Sequence, residues 1–299
     1  MKKILITGST TPDIDAVACA ICYQQYLSQI DPDNLYVAGT AEGMHTEASF
    51  VLVKTWLSCT SIGTEHYDNY IIVDASEKYW LPNIVDFSKV QEVIDHRMFA
   101  DYAIFPNAKF RIEPVGAAAT QIAEFFYFNK NVSISPAVAQ LLLCAIYSNT
   151  INFQANVTTF RDHRMKHRLE TLVEDKELYR EMFHYKTKYI LDHLEEVMYS
   201  EDKTVDDNLK LFQLELYDVA KLLERKGELL QYMDALSWWV AQSITILQDI
   251  KTWQTSLVAN NESTKKRITD SWLPGEQSWD VWVIPHIMMR KTIIPFLRK

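Results

Sequence analysis

The residues of this chain whose types and spacing could do chemistry are Asp13-Ile14-Asp15, Asp74 at the end of Tyr70-Ile71-Ile72-Val73, and Asp95-His96-Arg97 after Val93-Ile94. Each set puts carboxylate oxygen or imidazole nitrogen just past a short apolar run, where the C-terminal ends of parallel strands open into a crevice. Hard divalent cations take oxygen ligands and manganese also accepts histidine, so the pattern points to a divalent-metal site for phosphate. Asp13 and Asp15 share one turn and can face different ions, while Asp74 and His96 would arrive from neighbouring strand ends. Two ions held in this way can activate water and neutralise the charge of an in-line phosphoryl displacement. Taken singly, the first pair reads as a helix cap and Asp74 as a strand-end cap; their joint order argues for a site.

The elements that must position these residues follow from periodicity. Residues 3–7 read as a strand, and Ile14, Val17, Ala18, Ile21, Cys22 and Tyr26 recur at helical spacing to about residue 29. A strand at 35–38, a helix near 46–57 and strands at 70–74 and 90–94 continue the alternation, which predicts an α/β fold: a parallel sheet with helices on both faces. A helix opens after Gly116 and runs to about 128, and a second begins at Ser135-Pro136, with serine as N-cap and proline in the first turn, ending at Ser148-Asn149-Thr150. Residues 1–175 form this domain, 176–204 a helical connector, and 205–299 a smaller mixed α/β C-terminal domain with a core of its own, where Trp238, Trp239, Trp253, Trp272, Trp279 and Trp282 collect.

Composition narrows the field. With 299 residues, 48% of them hydrophobic, the chain can bury two cores, and a net charge of −9 argues against general nucleic-acid binding. No apolar run reaches membrane-spanning length, and Met1-Lys2-Lys3-Ile4-Leu5-Ile6 meets Gly8 too early for a secretory segment, so a cytoplasmic location is expected. Four cysteines fit that location, with Cys19 and Cys22 read as core packing. The seven glycines, at 8, 39, 43, 63, 116, 227 and 275, build neither a P-loop nor a dinucleotide-binding turn. Asp162-His163-Arg164 repeats the second triplet inside the polar stretch Thr159 to Glu170, with no preceding strand, and reads as a solvated face.

The order Gly8 to Ala16, Val73-Asp74, Val93 to Arg97, Glu113 to Ala117 and Ser148-Asn149-Thr150 resembles the DHH phosphoesterase superfamily. Within it the chain is most similar to the family II, manganese-dependent inorganic pyrophosphatases and the prune-type exopolyphosphatases. Met289-Arg290-Lys291 resembles the Ser-Arg-Lys segment of their C-terminal domain, so the resemblance spans nearly the whole chain. It implies metal ligands at Asp13, Asp15, Asp74 and His96, with Asp74 shared between two ions. It further implies Arg97, Arg290 and Lys291 as phosphate contacts at an interdomain cleft, with one of His184, Lys186 and Lys188 supplying a further contact. Ser9, Arg97 and Asn149 stand where the family has its first histidine, the second histidine of DHH and its last aspartate, and Ala75 replaces a further histidine. Asn149 is kept as a neutral metal ligand with Ser9 assisting, and Arg97 matches the DHR form of the prune-type members.

The expected activity is hydrolysis of a phosphoanhydride, pyrophosphate or a short polyphosphate, or of a small phosphoester, with Asp15, Asp74, His96 and Arg97 as the catalytic set. The expected cofactor is Mn2+ or Mg2+. The partner is a small phosphate substrate, with no nucleic acid or membrane, and a homodimer stays open. Two alternatives remain: a DHH nuclease or cyclic-dinucleotide phosphodiesterase, disfavoured by the two glycines left past residue 116, and a degenerate member that binds phosphate or a protein without turnover.

Overall fold

The computed structural model describes residues 1–299 except 42, 98, 99, 238, 239, 279 and 299. The chain divides into two compact units, Met1–Phe153 with Val157–Met182, and Gln154–Asn156 with Phe183–Lys299. In the first, β1 (Lys3–Thr7), α1 (Ile14–Ile30), β2 (Leu35–Thr40), α2 (Thr46–Thr55), β3 (Thr60–Ser61), β4 (Asn69–Val73), β5 (Val90–Asp95) and β6 (Lys109–Ile112) precede three helices. Those are α3 (Ala118–Phe128), α4 (Pro136–Asn149) and α5 (Phe160–Leu169). All six strands pair in parallel in the order β3-β2-β1-β4-β5-β6.

The strand order switches between β1 and β4, so the connections leaving their carboxyl ends run to opposite sides and leave a crevice between them. Asp13 and Asp15 follow β1, and Asp74 follows β4. Alternate strand residues face opposite ways. Leu5, Tyr70, Ile72 and Val93 meet Leu81, Val85, Phe87 and Phe105 from a stretch carrying 3-10 helices Lys78–Trp80, Phe87–Lys89 and Tyr102–Ile104. The helix α1 packs on β1 and β2 and on α3 and α4. The short edge strands β3 and β6 escape the sequence periodicity because they are two and four residues long.

Local chemistry sets the helix starts. The Asp13 carboxylate accepts from the backbone N–H of Asp15 and Ala16 and caps α1, and Ser135 Oγ accepts from Val138 N ahead of Pro136. Gly8 has no room for a side chain, because a Cβ there would lie 2.8 Å from the Val73 carbonyl and 2.9 Å from Ala16 Cβ. Cys19 and Cys22 are buried within α1, in the packing role expected of them. At the other end of the site, α4 stops at Asn149 and the chain turns left-handed through Ile151, Asn152 and Phe153 at φ 48°, 53° and 64°.

The helix α6 (Leu178–Asp192) carries the division between the units, after Met182. Residues 176–204, expected as a connector, hold α6 and α7 (Leu194–Ser200), with Ile190, Leu194 and Met198 inside the second unit's core. That unit continues with β7 (Lys203–Asp206), β8 (Leu209–Leu216), α8 (Ala220–Leu223), α9 (Lys226–Leu236), β9 (Gln242–Asp249), β10 (Gln254–Ala259) and α10 (Glu262–Thr269). It ends with β11 (Glu276–Ser278), β12 (Val281–Ile284) and α11 (Arg290–Leu297). The strands form one mixed sheet, β11-β12-β10-β9-β8-β7, in which β8 and β9 run parallel. On β8, Leu209 and Leu211 face Ile268, Ile293 and Leu297, whereas Phe212, Leu214 and Leu216 face Leu194, Met198, Leu222 and Leu229.

This core is mainly aliphatic, with Phe212, Met198 and Met233 among its members, and Trp282 packs partly buried against it. Trp272 is 93% and Trp253 50% exposed, and Trp238, Trp239 and Trp279 lie outside the described residues. Among the described residues no helix is long and apolar enough to cross a membrane.

The second triplet, Asp162-His163-Arg164, is not a solvated face. Asp162 is fully buried and accepts from Gly116 N, Thr120 Oγ1, and the backbone N–H and Oγ1 of Thr159. His163 stacks on Phe153, and Arg164 donates to Glu124 at 2.7 Å. The reason is a capping box: Thr159 and Asp162 satisfy each other's backbone at the start of α5, which fixes the carboxylate inward. Glu124, also buried, binds Arg161 through Nε at 2.9 Å and Nη2 at 2.5 Å, with Arg111 Nη2 at 3.3 Å.

Burial pushes the Glu124 carboxyl up, but hydrogen bonds and charge from Arg161 and Arg164 outweigh it and hold it below its usual 4.5. A carboxyl whose pKa is depressed by folding adds stability above its unfolded pKa and loses it as pH falls through the folded one. Glu124→Gln is therefore expected to lower stability at pH 7 by roughly 1–3 kcal/mol, discounted for the half-exposed arginines, and to reduce its loss on acidification below about pH 4.5. Denaturant midpoints at pH 7 and pH 4 check this; equal midpoints at pH 7 would remove the network from the account of stability.

Candidate metal centre

Four segments meet at the carboxyl edge of the first sheet. Asp15, in the first turn of α1, is fully buried; its Oδ2 and Oδ1 accept from Ala118 N and Ala119 N, both at 2.8 Å. These are the first two N–H groups of α3, whose N-terminus carries the partial positive charge of a helix end. The side chain therefore ties β1's loop to α3. Asn149, at the end of α4, donates from Nδ2 to Asp15 Oδ2 at 2.6 Å.

Asp74 follows β4 in a left-handed conformation, φ 51°, which aspartate tolerates better than most residues. Its buried Oδ1 accepts no hydrogen bond among the described residues, although His96 Nε2 lies 3.4 Å and Arg97 Nη1 3.5 Å away. His96 follows β5 and its Nδ1 sits 3.0 Å from the Val115 carbonyl. That oxygen can only accept, so Nδ1 carries a proton and Nε2 faces inward, where its lone pair becomes available once the ring is neutral. Nε2 is also 3.5 Å from Asn149 Nδ2.

Asp95 and Ser76 support this arrangement from behind. Asp95, fully buried, accepts from Ser76 Oγ at 2.6 Å, His96 N at 2.7 Å and Arg97 Nη1 at 3.0 Å. Arg97 Nη1 also donates to the Asp74 carbonyl at 2.5 Å, while the side chain is 46% exposed. One face of the guanidinium is thus pinned and its remaining N–H groups point outward, a fork suited to phosphate oxygens.

The electrostatics are those of crowded carboxylates in a dry site. Burial, then the charge of Asp74, push Asp15 up to about 8, against the pull of His96 and the Ala119 N–H. Asp13 is raised in the same way, by burial and Asp74, and His45 and Glu47 also act on it. Burial pushes Asp74 up too, but Arg97 and His96 outweigh it and hold Asp74 low. Burial favours the neutral His96 ring, yet the close approach and charge of Asp74, with Asp15 beyond, raise it to about 9. Protons and Arg97 supply the positive charge these groups need.

A divalent cation could take that place. Asp15, Asp74 and His96 each offer one ligand atom within 4.8 Å of the others. The lone oxygen of Asp74 and the inward Nε2 of His96 fit one ion with an oxygen and nitrogen donor set. Asp13 spends Oδ1 on the cap of α1, and Asn149 presents its amide nitrogen rather than a charge. Ser9 is half-buried in the loop between β1 and α1.

The remaining sites expected from sequence lie in the second unit. Arg290 opens α11, where its N–H donates to Gln213 Oε1 and Nη1 to the Glu201 carbonyl, both at 2.8 Å; Lys291 follows it, exposed. His184 packs on Tyr217, Lys186 pairs with Glu215 at 2.8 Å, and Lys188 with Asp192 at 2.6 Å. The Val115 carbonyl, the Ala118 and Ala119 amides and the inward role of Asp162 are contacts that sequence reasoning missed. Only Asp162 left a signal, the Thr159 to Asp162 spacing of a capping box.

Comparisons with known proteins place the chain by its sequence and fold. A family profile described as the DHH family, N-terminal domain, matches residues 3–146. A Clostridium acetobutylicum protein assigned as a manganese-dependent inorganic pyrophosphatase is 30% identical over 238 residues, 77% of this chain and 76% of its own. One from Lactobacillus delbrueckii subsp. bulgaricus with the same assignment is 29% identical over 78% and 77%. Among solved structures, a Methanococcus jannaschii protein assigned as a family II inorganic pyrophosphatase shares the fold, with a TM-score of 0.73, 22% identity and 98% of each chain covered. A Bacteroides fragilis exopolyphosphatase-related protein matches with a TM-score of 0.55 at 15% identity over 100% and 94%. By its identity to the first of these relatives over three quarters of both chains, this chain belongs to the DHH family, alongside the manganese-dependent inorganic pyrophosphatases.

Proposed function

We propose that this chain is a metal-dependent phosphohydrolase acting on a phosphoanhydride, with pyrophosphate or a short polyphosphate as substrate, and with Mn2+ or Mg2+ held by Asp15, Asp74 and His96. The observation that carries the reading is the convergence of two buried carboxylate groups and one inward imidazole nitrogen within 4.8 Å, in a chain related to manganese-dependent pyrophosphatases. When bound, a divalent ion supplies Lewis-acid polarisation of a phosphate oxygen and acidifies a water. The chain's own residues do the rest. Arg97, anchored by Asp95 and the Asp74 carbonyl, binds a phosphate oxygen with its free N–H groups and fixes the group's orientation. The Val115 carbonyl holds the Nδ1 proton of His96, so Nε2 stays available as a ligand. Burial of Asp15, Asp74 and Asp95 keeps their surroundings poor in water, which strengthens each of these contacts.

A second reading, phosphate binding with little turnover, is favoured by one contact. Asn149 donates a hydrogen bond to Asp15 where a carboxylate would instead require a cation. The choice between the readings turns on metal count and phosphate release.

Three outcomes are expected. Calorimetry with Mn2+ should find one tight ion per chain, weakened roughly a hundredfold or more in Asp74→Asn, since even indirect supports of a metal ligand are worth 10–100-fold; an unchanged ion in that variant would reject the ligand set. Because His96 is held protonated up to about 9 and Asp15 up to about 8, and both must lose their protons to bind, affinity should fall by roughly a thousandfold between pH 8.5 and 6.5. A flat profile would mean that other groups hold the ion. Asn149→Asp should raise the Mn2+ stoichiometry or affinity and, with pyrophosphate as substrate, phosphate release; absence of any release from pyrophosphate or tripolyphosphate in both proteins would favour the binding reading.

A further inference from the structure

The groups that present the candidate metal ligands are themselves held by one buried side chain behind them. Asp162 accepts from Gly116 N at 2.9 Å, and from Thr120 Oγ1, Thr159 N and Thr159 Oγ1 at 2.6, 2.7 and 2.6 Å. Gly116 lies between the Val115 carbonyl, which orients His96, and Ala118 and Ala119, whose N–H groups bind Asp15. Thr120 stands in the same first turn of α3. A Cβ on Gly116 would lie 3.0 Å from the Asp162 carboxylate and 2.6 Å from Thr150 Cγ2, so the carboxylate and the residue after Asn149 pack directly against this glycine.

We propose that Asp162 is a positioning residue for the metal centre, acting through Gly116 and the first turn of α3 to set where Asp15 and His96 point. The inference rests on the reading of Asp15, Asp74 and His96 as metal ligands. Three of the four donors to Asp162 satisfy the start of α5 or α3 and would stabilise any helix end; the Gly116 N–H does something else. It belongs to the extended segment between β6 and α3, and fixing it sets the Val115 carbonyl one residue before and the α3 N–H pair two and three residues after. An amide at position 162 keeps the shape but offers one acceptor oxygen in place of two and turns an N–H2 toward donors. The segment would then rotate rather than unfold.

Mn2+ calorimetry on the full chain, with NMR of the metal-free protein, separates positioning from plain stabilisation. Asp162→Asn should weaken Mn2+ about tenfold or more, and should shift or broaden the His96 Nδ1–H resonance that the Val115 bond protects from exchange. The control is Met165→Ala, a cavity at a buried residue of the same helix whose side chain carries no hydrogen-bond donor; at a temperature where both variants are folded, it should lose stability and keep Mn2+ affinity. If Asp162→Asn does not fold, Thr120→Val removes one donor and should give an intermediate loss. Wild-type affinity and an unchanged His96 signal in Asp162→Asn or Thr120→Val, or an equal Mn2+ loss in Met165→Ala, overturn the assignment. A wild-type chain that binds no Mn2+ would instead remove the ligand reading, while the His96 signal alone would still decide the role of Asp162.

Discussion

Repulsion between buried carboxylates is the constraint on which the first unit depends. Asp13, Asp15, Asp74 and Asp95 come off the ends of three adjacent strands into a region with little water, where each charge costs far more than at the surface. Every element around them supplies something positive. The N-terminus of α3 gives two N–H groups to Asp15, α1 gives two to Asp13, Asp95 takes a hydroxyl and a guanidinium, and Asp74 faces an imidazole. The parallel order of the sheet follows the same logic, since it is what brings three strand ends and a helix start to one edge.

The site's skeleton was legible in the sequence because its parts are local. Each aspartate follows an apolar run, and a strand that is buried on both faces reads as a run of branched residues whose end is easy to see. Ser135-Pro136 marked α4, and with it Asn149, by cap chemistry alone. What was not legible is non-local. The bond from Asp15 to Ala118 joins residues 103 apart, and that from Gly116 to Asp162 joins residues 46 apart. Asp162 was misread for a further reason: a polar helix start on the surface and one turned inward by a capping box have the same spacing, and only the partner shows the difference. Of the described tryptophans in the second unit, Trp253 and Trp272 are exposed and Trp282 packs against the core.

Asn149 occupies a position with its own electrostatic preference. It ends α4, where the unpaired carbonyls of a helix disfavour negative charge, and it touches Asp15, which is already an anion or a proton carrier. A carboxylate there would meet repulsion from two directions, so a cation would be required to hold it; an amide meets none and closes the gap with a hydrogen bond. The ligand set therefore has a built-in relation between its charge and the number of ions it can hold.

Position 74 shows how little freedom such a site leaves. Its backbone is left-handed, and from that conformation the main-chain oxygen reaches Arg97 while the carboxylate reaches toward His96. Among the twenty residues, glycine, asparagine and aspartate visit this region readily, and branched or bulky side chains do so only under strain. The backbone alone therefore favours a few small residues here before any ligand chemistry is considered, and of glycine, asparagine and aspartate only one carries a charge.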